Sequence, residues 1–277
     1  MAPASRYGMV EMSIGLKIAQ WRSCLADVPR LAADVWRYAR YRRRVHLELE
    51  RLNRGVTPIQ SVGLVPALER VYRRRFPDRQ WPGHWPVALT IGEDSDTLEM
   101  LYLALICRVA QPQAVFEIGT YEGRTANVMA LHTPPDCRIY TLDLPPGGNT
   151  ATHLPVGKGD RPWLEKEGTT LGRRLGTLPN AAANAKIETR LGDSATFDYA
   201  PFRARMDLVF VDGAHSYEYV MSDVRNALTM LAPRGFVLLH DLHTHAGVTL
   251  AVMTLRRQFE IIHVAQTSFG ILFPVEV

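Results

Sequence analysis

The sequence is poor in cysteine and has no long apolar run. Its three cysteines, Cys24, Cys107 and Cys137, are far apart and form no Cys-x-x-Cys pair, which favours a reduced, cytoplasmic setting. No apolar stretch approaches the roughly 18 residues that a membrane span needs. The first 20 residues also lack the compact apolar region of a secretory signal. We therefore expect a cytoplasmic protein without stable membrane insertion.

The usual phosphate-binding glycine patterns are also missing. In VFEIGTYEGRTA (115–126), Tyr121 and Arg124 stand where a Gly-x-Gly-x-x-Gly pattern would place glycines. No Gly-Lys-Ser/Thr of a P-loop follows. A pyrophosphate cofactor is therefore disfavoured.

Charge is distributed unevenly along a chain of otherwise ordinary globular composition. Residues 1–80 contain 16 Lys and Arg against 7 Asp and Glu, whereas the remaining residues contain 16 against 21. The basic part could be a solvated, Arg-rich helical face, or could meet an anionic surface. We expect no nucleic-acid partner for this part of the chain.

The chain divides into two regions by pattern. From about Ser13 to Arg75 apolar residues recur at helical spacing, and the Pro- and Trp-rich segment 76–86 follows as a linker or ordered loop. We therefore predict a basic helical extension and linker over residues 1–86, which either covers the pocket or forms a homo-oligomer, and an α/β domain over residues 87–277.

The second region alternates short apolar runs with helical segments. This alternation predicts a mostly parallel sheet with helices on both faces. The runs FEIIHVA and SFGILFPV near the end predict a terminal antiparallel hairpin. The predicted strands before it are AVFEI (114–118), RIYTLD (138–143), KIETRL (186–191), MDLVFVD (206–212) and GFVLLHD (235–241).

Ligands of such sheets bind beyond the carboxyl ends of the strands, so polar residues at those ends are the candidates. Gly119 and Gly123 after the first strand fit either a ligand-binding loop or a plain turn. Asp143, at the end of the second strand, fits a ribose contact or a solvent-facing turn. Asp193 and Ser194 follow KIETRL, where the aspartate could accept a hydrogen bond from an adenine amino group or cap the next helix.

A second set of polar residues follows two later strands. The run LVFVDGAHS (208–216) stops at Asp212, and GFVLLHD stops at His240 and Asp241. If these strands are neighbours, both carboxylates share one edge of the sheet, less than ~5 Å apart in strand spacing. Two such carboxylates need a cation between them, which suits Mg²⁺ or a related hard divalent ion. His240 is either an imidazole ligand or a hydrogen-bonding neighbour of the ligands.

Several histidines lie close to these acids in the sequence. The ordinary pKa of an imidazole suits His215, three residues after Asp212, to act as a general base, although a merely helix-terminal histidine is the alternative. His243 and His245 add imidazoles as substrate contacts or spare ligands.

These motifs together resemble those of class I S-adenosylmethionine-dependent methyltransferases, over about residues 90–277. More narrowly, they are similar to the metal-dependent, small-molecule O-methyltransferases of the catechol and macrolide-sugar types. The resemblance implies a Rossmann-like sheet of seven strands whose last strand is antiparallel. It also implies S-adenosylmethionine and a divalent metal, with Mg²⁺ expected, as cofactors.

The resemblance assigns roles to residues of this sequence. The implied cofactor contacts are Glu117, Gly119, Tyr121, Gly123, Asp143, Asp193, Ser194 and Asp212. The implied metal ligands are Asp212, His240 and Asp241, where His240 departs from the second acid of many relatives. His215 is the implied catalytic base.

The expected activity is methyl transfer from S-adenosylmethionine to a hydroxyl of a small molecule such as a sugar, a phenol or a natural product. Two alternatives stay open. A metal-dependent hydrolase would use the same His/Asp cluster without the methyl donor, and a non-catalytic binding protein would need neither the metal nor His215.

Overall fold

A computed structural model describes residues 59–81, 97–146, 152–157, 159–162, 164, 172–178 and 180–274. The predicted helical pattern from Ser13 to residue 58 and residues 82–86 of the linker lie outside these residues. Within the described ranges, every helix falls short of the length and apolarity that crossing a membrane requires.

One mixed sheet organises the compact unit Thr57–Val277. Its strands are β1 (Gln60–Val62), β2 (Ala114–Ile118), β3 (Arg138–Asp143), β4 (Ile187–Leu191), β5 (Met206–Val211), β6 (Leu231–Leu239), β7 (Glu260–Val264) and β8 (Gly270–Phe273). They are ordered β1-β7-β8-β6-β5-β2-β3-β4 across the sheet. Only β8 runs antiparallel to its neighbours.

Helices cover both faces of this sheet. They are α1 (Leu64–Arg75), α2 (Thr97–Ala110), α3 (Arg124–His132), the short α4 (Ala181–Asn184), α5 (Tyr217–Met230) and α6 (Ala246–Leu255). One apolar core lies against α1, α2 and α3. A second core lies against α5 and α6 and contains a group of aromatic rings around Phe116. Strand β2 lies between the two cores, and its burial on both faces explains why four of its five residues are apolar.

The sequence-based prediction of the fold is confirmed, with one strand added. The methyltransferase-like sheet, the parallel central strands and the antiparallel β7–β8 hairpin are all present. The sheet has eight strands instead of seven, because β1 pairs in parallel with β7 through the register Gln60 to Ile262. Residues 60–62 had been assigned to a helical segment. The apolar spacing around them belongs to α1, which begins only at Leu64.

Residues 60–75, assigned from sequence to the N-terminal extension, pack with the sheet. Helix α1 buries Leu68 and Val71 in the first core. Its last residue, Arg75, forms an ion pair with Asp207 at the start of β5, with 2.6 Å between Nη1 and Oδ1. The compact unit therefore begins before the predicted boundary at residue 87.

Candidate active site

A cavity of about 570 Å³ opens at the carboxyl ends of β2, β3, β5 and β6. The strands are parallel, so the polar residues that follow them reach one rim although they are distant in sequence. Nine of the eleven predicted site residues line this cavity. They are Gly119, Tyr121, Asp143, Asp193, Ser194, Asp212, His215, His240 and Asp241.

The loop after β2 requires glycine at position 119. Gly119 has a φ of +98°, and a Cβ there would lie 2.0 Å from the carbonyl oxygen of Asp212. Its N–H donates to Leu142 O at 2.9 Å, while the Asp212 N–H donates to Ile118 O at 2.8 Å. The loop therefore lies directly against the ends of β3 and β5, which leaves no room for a side chain at this position.

Asp143 holds the same loop from the end of β3. Its Oδ2 accepts the N–H groups of Thr120 (2.9 Å) and Tyr121 (2.7 Å), and its Oδ1 accepts that of Leu144 (2.7 Å). Burial raises the pKa of Asp143 above its ordinary value, although these three donors favour the carboxylate. A carboxylate has about four acceptor positions, so capacity for a ligand hydroxyl is left at the cavity.

Two predicted cofactor residues do not line the cavity. Glu117 is fully buried behind the loop, where its carboxylate accepts hydrogen bonds from Thr125 and, at 2.5 Å, from Thr141. Burial raises the pKa of Glu117 to about 8. Gly123 begins α3 with a φ of +82°, and a Cβ there would lie 2.4 Å from the side chain of Leu175. Both residues shape the loop from behind, because the strand directs Glu117 inward and Leu175 covers Gly123.

Asp193 is held in place at the opposite end of the cavity. Its two carboxylate oxygens each lie 2.9 Å from the donating hydroxyl of Tyr219, and they also accept N–H groups from His153 (2.6 Å) and Ala195 (2.9 Å). The bond from Ala195 caps a turn and not the helix that the sequence alternative placed after Asp193. Ser194 follows it in the cavity wall, and its carbonyl accepts the hydroxyl of Tyr199 at 3.0 Å.

Asp212, His240 and Asp241 converge as the sequence predicted. His240 Nδ1 lies 2.9 Å from Asp212 Oδ1 and 3.3 Å from Asp241 Oδ2. Neighbouring ligands of one octahedral ion with bonds of 2.0–2.1 Å are about 3 Å apart, so these distances fit a shared ion. Asp241 has a φ of +57°, a strained conformation for a residue other than glycine and one that clusters at functional sites.

The far side of His240 is held by a residue that the sequence did not single out for the site. His240 Nε2 lies 2.9 Å from Glu99 Oε2, and Glu99 Oε1 accepts from the N–H (2.6 Å) and the hydroxyl (2.8 Å) of Ser268. Burial alone would lower the pKa of His240, but Asp212, Asp241 and Glu99 together raise it above its ordinary value. An imidazole between carboxylates is either doubly protonated or bound to a metal through one nitrogen, with the other N–H donated to a carboxylate.

His215 has a similar pair of carboxylate partners. Its Nδ1 lies 2.6 Å from Asp160 Oδ1, and its Nε2 lies 2.8 Å from Asp241 Oδ2. Burial alone would lower the pKa of His215, but the hydrogen bonds to Asp160 and Asp241 outweigh it and raise the pKa to about 10. His215 is therefore charged at neutral pH in this arrangement. It can act as a base only after losing the proton that it shares with Asp241.

His245 lies beside this pair. Its ring stacks on that of His215 with 3.9 Å between centroids and 19° between planes. Its Nε2 lies 3.9 Å from Asp241 Oδ2. Burial, together with the charge of His215, lowers the pKa of His245, so its imidazole is neutral at pH 7.

Glu99, Asp160 and Tyr219 are the site residues that the sequence did not identify. Glu99 lies in the first turn of α2, in a segment to which the sequence analysis assigned no role at the site. Asp160 lies in the long connection between β3 and β4, where no periodicity marks a position. Tyr219 is on α5 and could not be distinguished from a core residue.

Comparison with known proteins agrees with this geometry. The family model described as "Methyltransferase domain" matches residues 116–242. These residues run from the loop strand β2 to just beyond Asp241. The match confirms the resemblance to methyltransferases over these residues, which make up a little less than half of the chain. A comparison with curated proteins gave no significant match.

Solved structures of methyltransferases are similar in part. One is the methyltransferase PaMTH1 from Podospora anserina, bound to SAH (16% identity, TM-score 0.47, covering 82% of this chain and 93% of that one). Another is the O-methyltransferase TomG from Streptomyces achromogenes, in complex with SAM (18% identity, TM-score 0.44, covering 77% and 90%). These scores are low, and the strand order itself defines the fold.

Proposed function

We propose that this methyltransferase transfers the methyl group of S-adenosylmethionine to a hydroxyl oxygen of a small molecule, assisted by a divalent metal, with Mg²⁺ as the expected ion. The observation that supports this most is the convergence of Asp212, His240 and Asp241 on the rim that also holds the loop of Gly119. One cavity thus has groups for a nucleotide cofactor and groups for a hard cation.

The cofactor would lie along the rim formed by β2, β3 and β4. Gly119 permits close approach of the backbone, Asp143 would accept ribose hydroxyls, and Asp193 would face the adenine. Tyr121 and Ser194 line the wall between these groups. In this order the sulfonium would lie near Asp212.

The acceptor hydroxyl would lie beside Asp241, within reach of His215 Nε2. Its proton passes to His215 Nε2, the oxygen attacks the methyl carbon, and the electrons of the carbon–sulfur bond stay on sulfur. The products are a methyl ether and S-adenosylhomocysteine. Asp160 positions His215 by holding its Nδ1–H, so that Nε2 faces the reacting oxygen.

The metal would be held by Asp212, His240 and Asp241, with Glu99 orienting His240. When bound, it would supply positive charge that lowers the pKa of the acceptor hydroxyl and of the nearby imidazole. The arrangement of two carboxylates and one imidazole suits Mg²⁺ and also accepts Mn²⁺ or Fe²⁺.

Titration calorimetry with S-adenosylmethionine, with and without EDTA, tests the proposal. We expect binding in wild type and at least tenfold weaker binding in Asp143→Ala, about 1.4 kcal/mol. The matched control is Asp136→Ala, an exposed acid before β3 at the opposite edge of the sheet. Absence of heat in both conditions would contradict methyl transfer. Product formation that is unchanged in EDTA would exclude a role for the metal. Turnover without the methyl donor would indicate a hydrolase.

A further inference from the structure

Three imidazole nitrogens surround one carboxylate oxygen. Asp241 Oδ2 lies 2.8 Å from His215 Nε2, 3.3 Å from His240 Nδ1 and 3.9 Å from His245 Nε2. His240 belongs with Asp212 to the ligand group proposed above. His215, Asp241 and His245 form a second group, whose ligand atoms lie within 4.8 Å of one another.

We propose that His215, Asp241 and His245 form a second, inhibitory cation site that takes a borderline transition-metal ion such as Zn²⁺. Binding at this site follows from the three side chains alone. Only the inhibition rests on the proposed function, because it requires His215 to act as the base.

The orientation of His215 suits a metal ligand. Its Nδ1–H is donated to Asp160 at 2.6 Å, which directs the lone pair of Nε2 toward Asp241 Oδ2. A lone pair and a carboxylate oxygen 2.8 Å apart repel each other unless a cation, a proton or a metal ion, lies with them. Histidine ligands of metals commonly have a carboxylate behind the ring in this way.

The stacked rings bring the second nitrogen to the same oxygen. The planes of His215 and His245 differ by only 19°, and both Nε2 atoms approach Asp241 Oδ2. Around a tetrahedral zinc ion with bonds of 2.0–2.1 Å, ligand atoms are about 3.3 Å apart. The distances of 2.8 and 3.9 Å to Asp241 Oδ2 lie on either side of that value. The other oxygen of Asp241 accepts the hydroxyl of Thr244, which fixes the carboxylate.

The two groups differ in the ions they favour. Two of the three donors in the second group are imidazole nitrogens, which suit Zn²⁺, Cu²⁺ or Ni²⁺, whereas the first group has two carboxylates. Both groups use Asp241. An ion in the second group therefore withdraws Asp241 from the first and occupies Nε2 of His215, the atom that would take the substrate proton.

Metal binding without cofactor or substrate tests the site directly. In an Asp212→Asn background, which weakens the first group, we expect Co²⁺ to give the visible absorption of a nitrogen-ligated ion and Zn²⁺ to displace it. Adding His245→Ala should weaken Zn²⁺ binding at least about tenfold. His243→Ala, which removes an imidazole two residues away that packs against His263, should leave the binding unchanged.

Inhibition is measured with saturating Mg²⁺, each variant relative to its own rate without Zn²⁺. Wild type and His243→Ala should lose activity at the same Zn²⁺ concentration, and His245→Ala should need at least tenfold more. If Zn²⁺ bound equally tightly with and without His245, the proposed site would be wrong. If Zn²⁺ inhibited His245→Ala and wild type equally, the proposed inhibitory role would be wrong. If the protein transferred no methyl group, the binding experiment would still give its answer, so the two failures are distinguishable.

Discussion

Asp160 Oδ1 lies 2.6 Å from His215 Nδ1, and this contact joins the long connection after β3 to the helix start after β5. The other oxygen of Asp160 accepts the backbone N–H groups of Gly157 (3.1 Å) and His215 (3.3 Å). Asp160 therefore fixes its own loop and the ring of His215 together. A residue outside every recognised motif thus sets which nitrogen of His215 faces Asp241.

Replacing Asp160 tests this role. Asp160→Asn keeps an acceptor for the two backbone N–H groups but removes the charge that holds the Nδ1 proton. We expect kcat to fall by about 10²-fold, with KM for S-adenosylmethionine nearly unchanged. Steady-state kinetics checks this, and an equal rise in KM would indicate a merely structural role. Asp198→Asn, an exposed acid that caps a turn at Ala200, is the control.

Asp160→Asn should also lower the free energy of unfolding, by an amount that depends on pH. The pKa of His215 is raised in the folded protein to about 10, so its contribution is fully present below 6.5 and is lost as pH rises to 10. The pKa of Asp160 is lowered, so its contribution is lost as pH falls below 3.8. Urea unfolding should therefore show the largest advantage of wild type over Asp160→Asn between pH 3.8 and 6.5. An advantage that grows above pH 8 would contradict this linkage.

The burial of Glu117 predicts that the stability of the folded protein depends on pH. Its pKa is raised from 4.5 to about 8, so the protonated form stabilises the fold below pH 4.5 and this contribution is lost as pH rises to 8. Glu117→Gln keeps hydrogen-bonding capacity toward Thr125 and Thr141 without a titrating group. Relative to wild type, the variant should become more stable as pH rises from 4.5 to 8, by an amount on the order of a few kcal/mol. A constant difference across that range would show that Glu117 does not titrate there.

Alanine substitutions at two glycines with positive φ separate the cost of backbone strain from the cost of a steric clash. Gly119→Ala would place a Cβ 2.0 Å from Asp212 O, whereas Gly176, with a φ of +71°, has nothing within 4 Å of a Cβ. Gly176→Ala should cost about 1–2 kcal/mol from its backbone conformation alone. Gly119→Ala should cost more and abolish cofactor binding. Thermal unfolding and calorimetry check both, and equal costs would contradict the close approach of the loop to β5.

The ion pair of Arg75 and Asp207 should contribute more than its exposed counterpart. Their side chains are only 11% and 14% exposed, and Arg75→Met leaves a largely buried carboxylate without its cation. We expect a loss of about 3 kcal/mol in the free energy of unfolding. Arg73→Met, which breaks an exposed pair with Glu69, should cost under about 1 kcal/mol. Equal losses in urea unfolding would refute the difference.

Strand and helix types followed from local pattern. The segments 114–118 and 138–143 were predicted with the bounds of β2 and β3, because short runs rich in apolar residues between helical segments indicate strands covered on both faces. Strand β1 was missed, since three residues without a distinctive pattern become a strand only by pairing with β7. Helix α6 ends at Leu255, although its apolar pattern continues to Phe259.

The residues of the site also divide into those that the sequence pattern identified and those that it did not. Asp143, Asp212 and Asp241 were found from sequence because a polar residue that interrupts an apolar strand marks the ligand edge of a parallel sheet. Glu99 and Asp160 were not, because they come from a helix and a connection whose approach to the rim no spacing encodes. The placement of Glu117 behind the loop could not be predicted either. Side chains alternate between the two faces of a strand, but this alternation does not say which buried face meets a cavity.

The amino-acid sequence by itself thus determined the parallel sheet, the rim and the acids upon it, because hydrophobic periodicity and strand ends are local properties. Only the tertiary structure decided that His215 and His240 each lie between two carboxylates, and that His245 stacks on His215. Those contacts join residues up to 141 positions apart. Their protonation depends on distances that only the packed chain fixes.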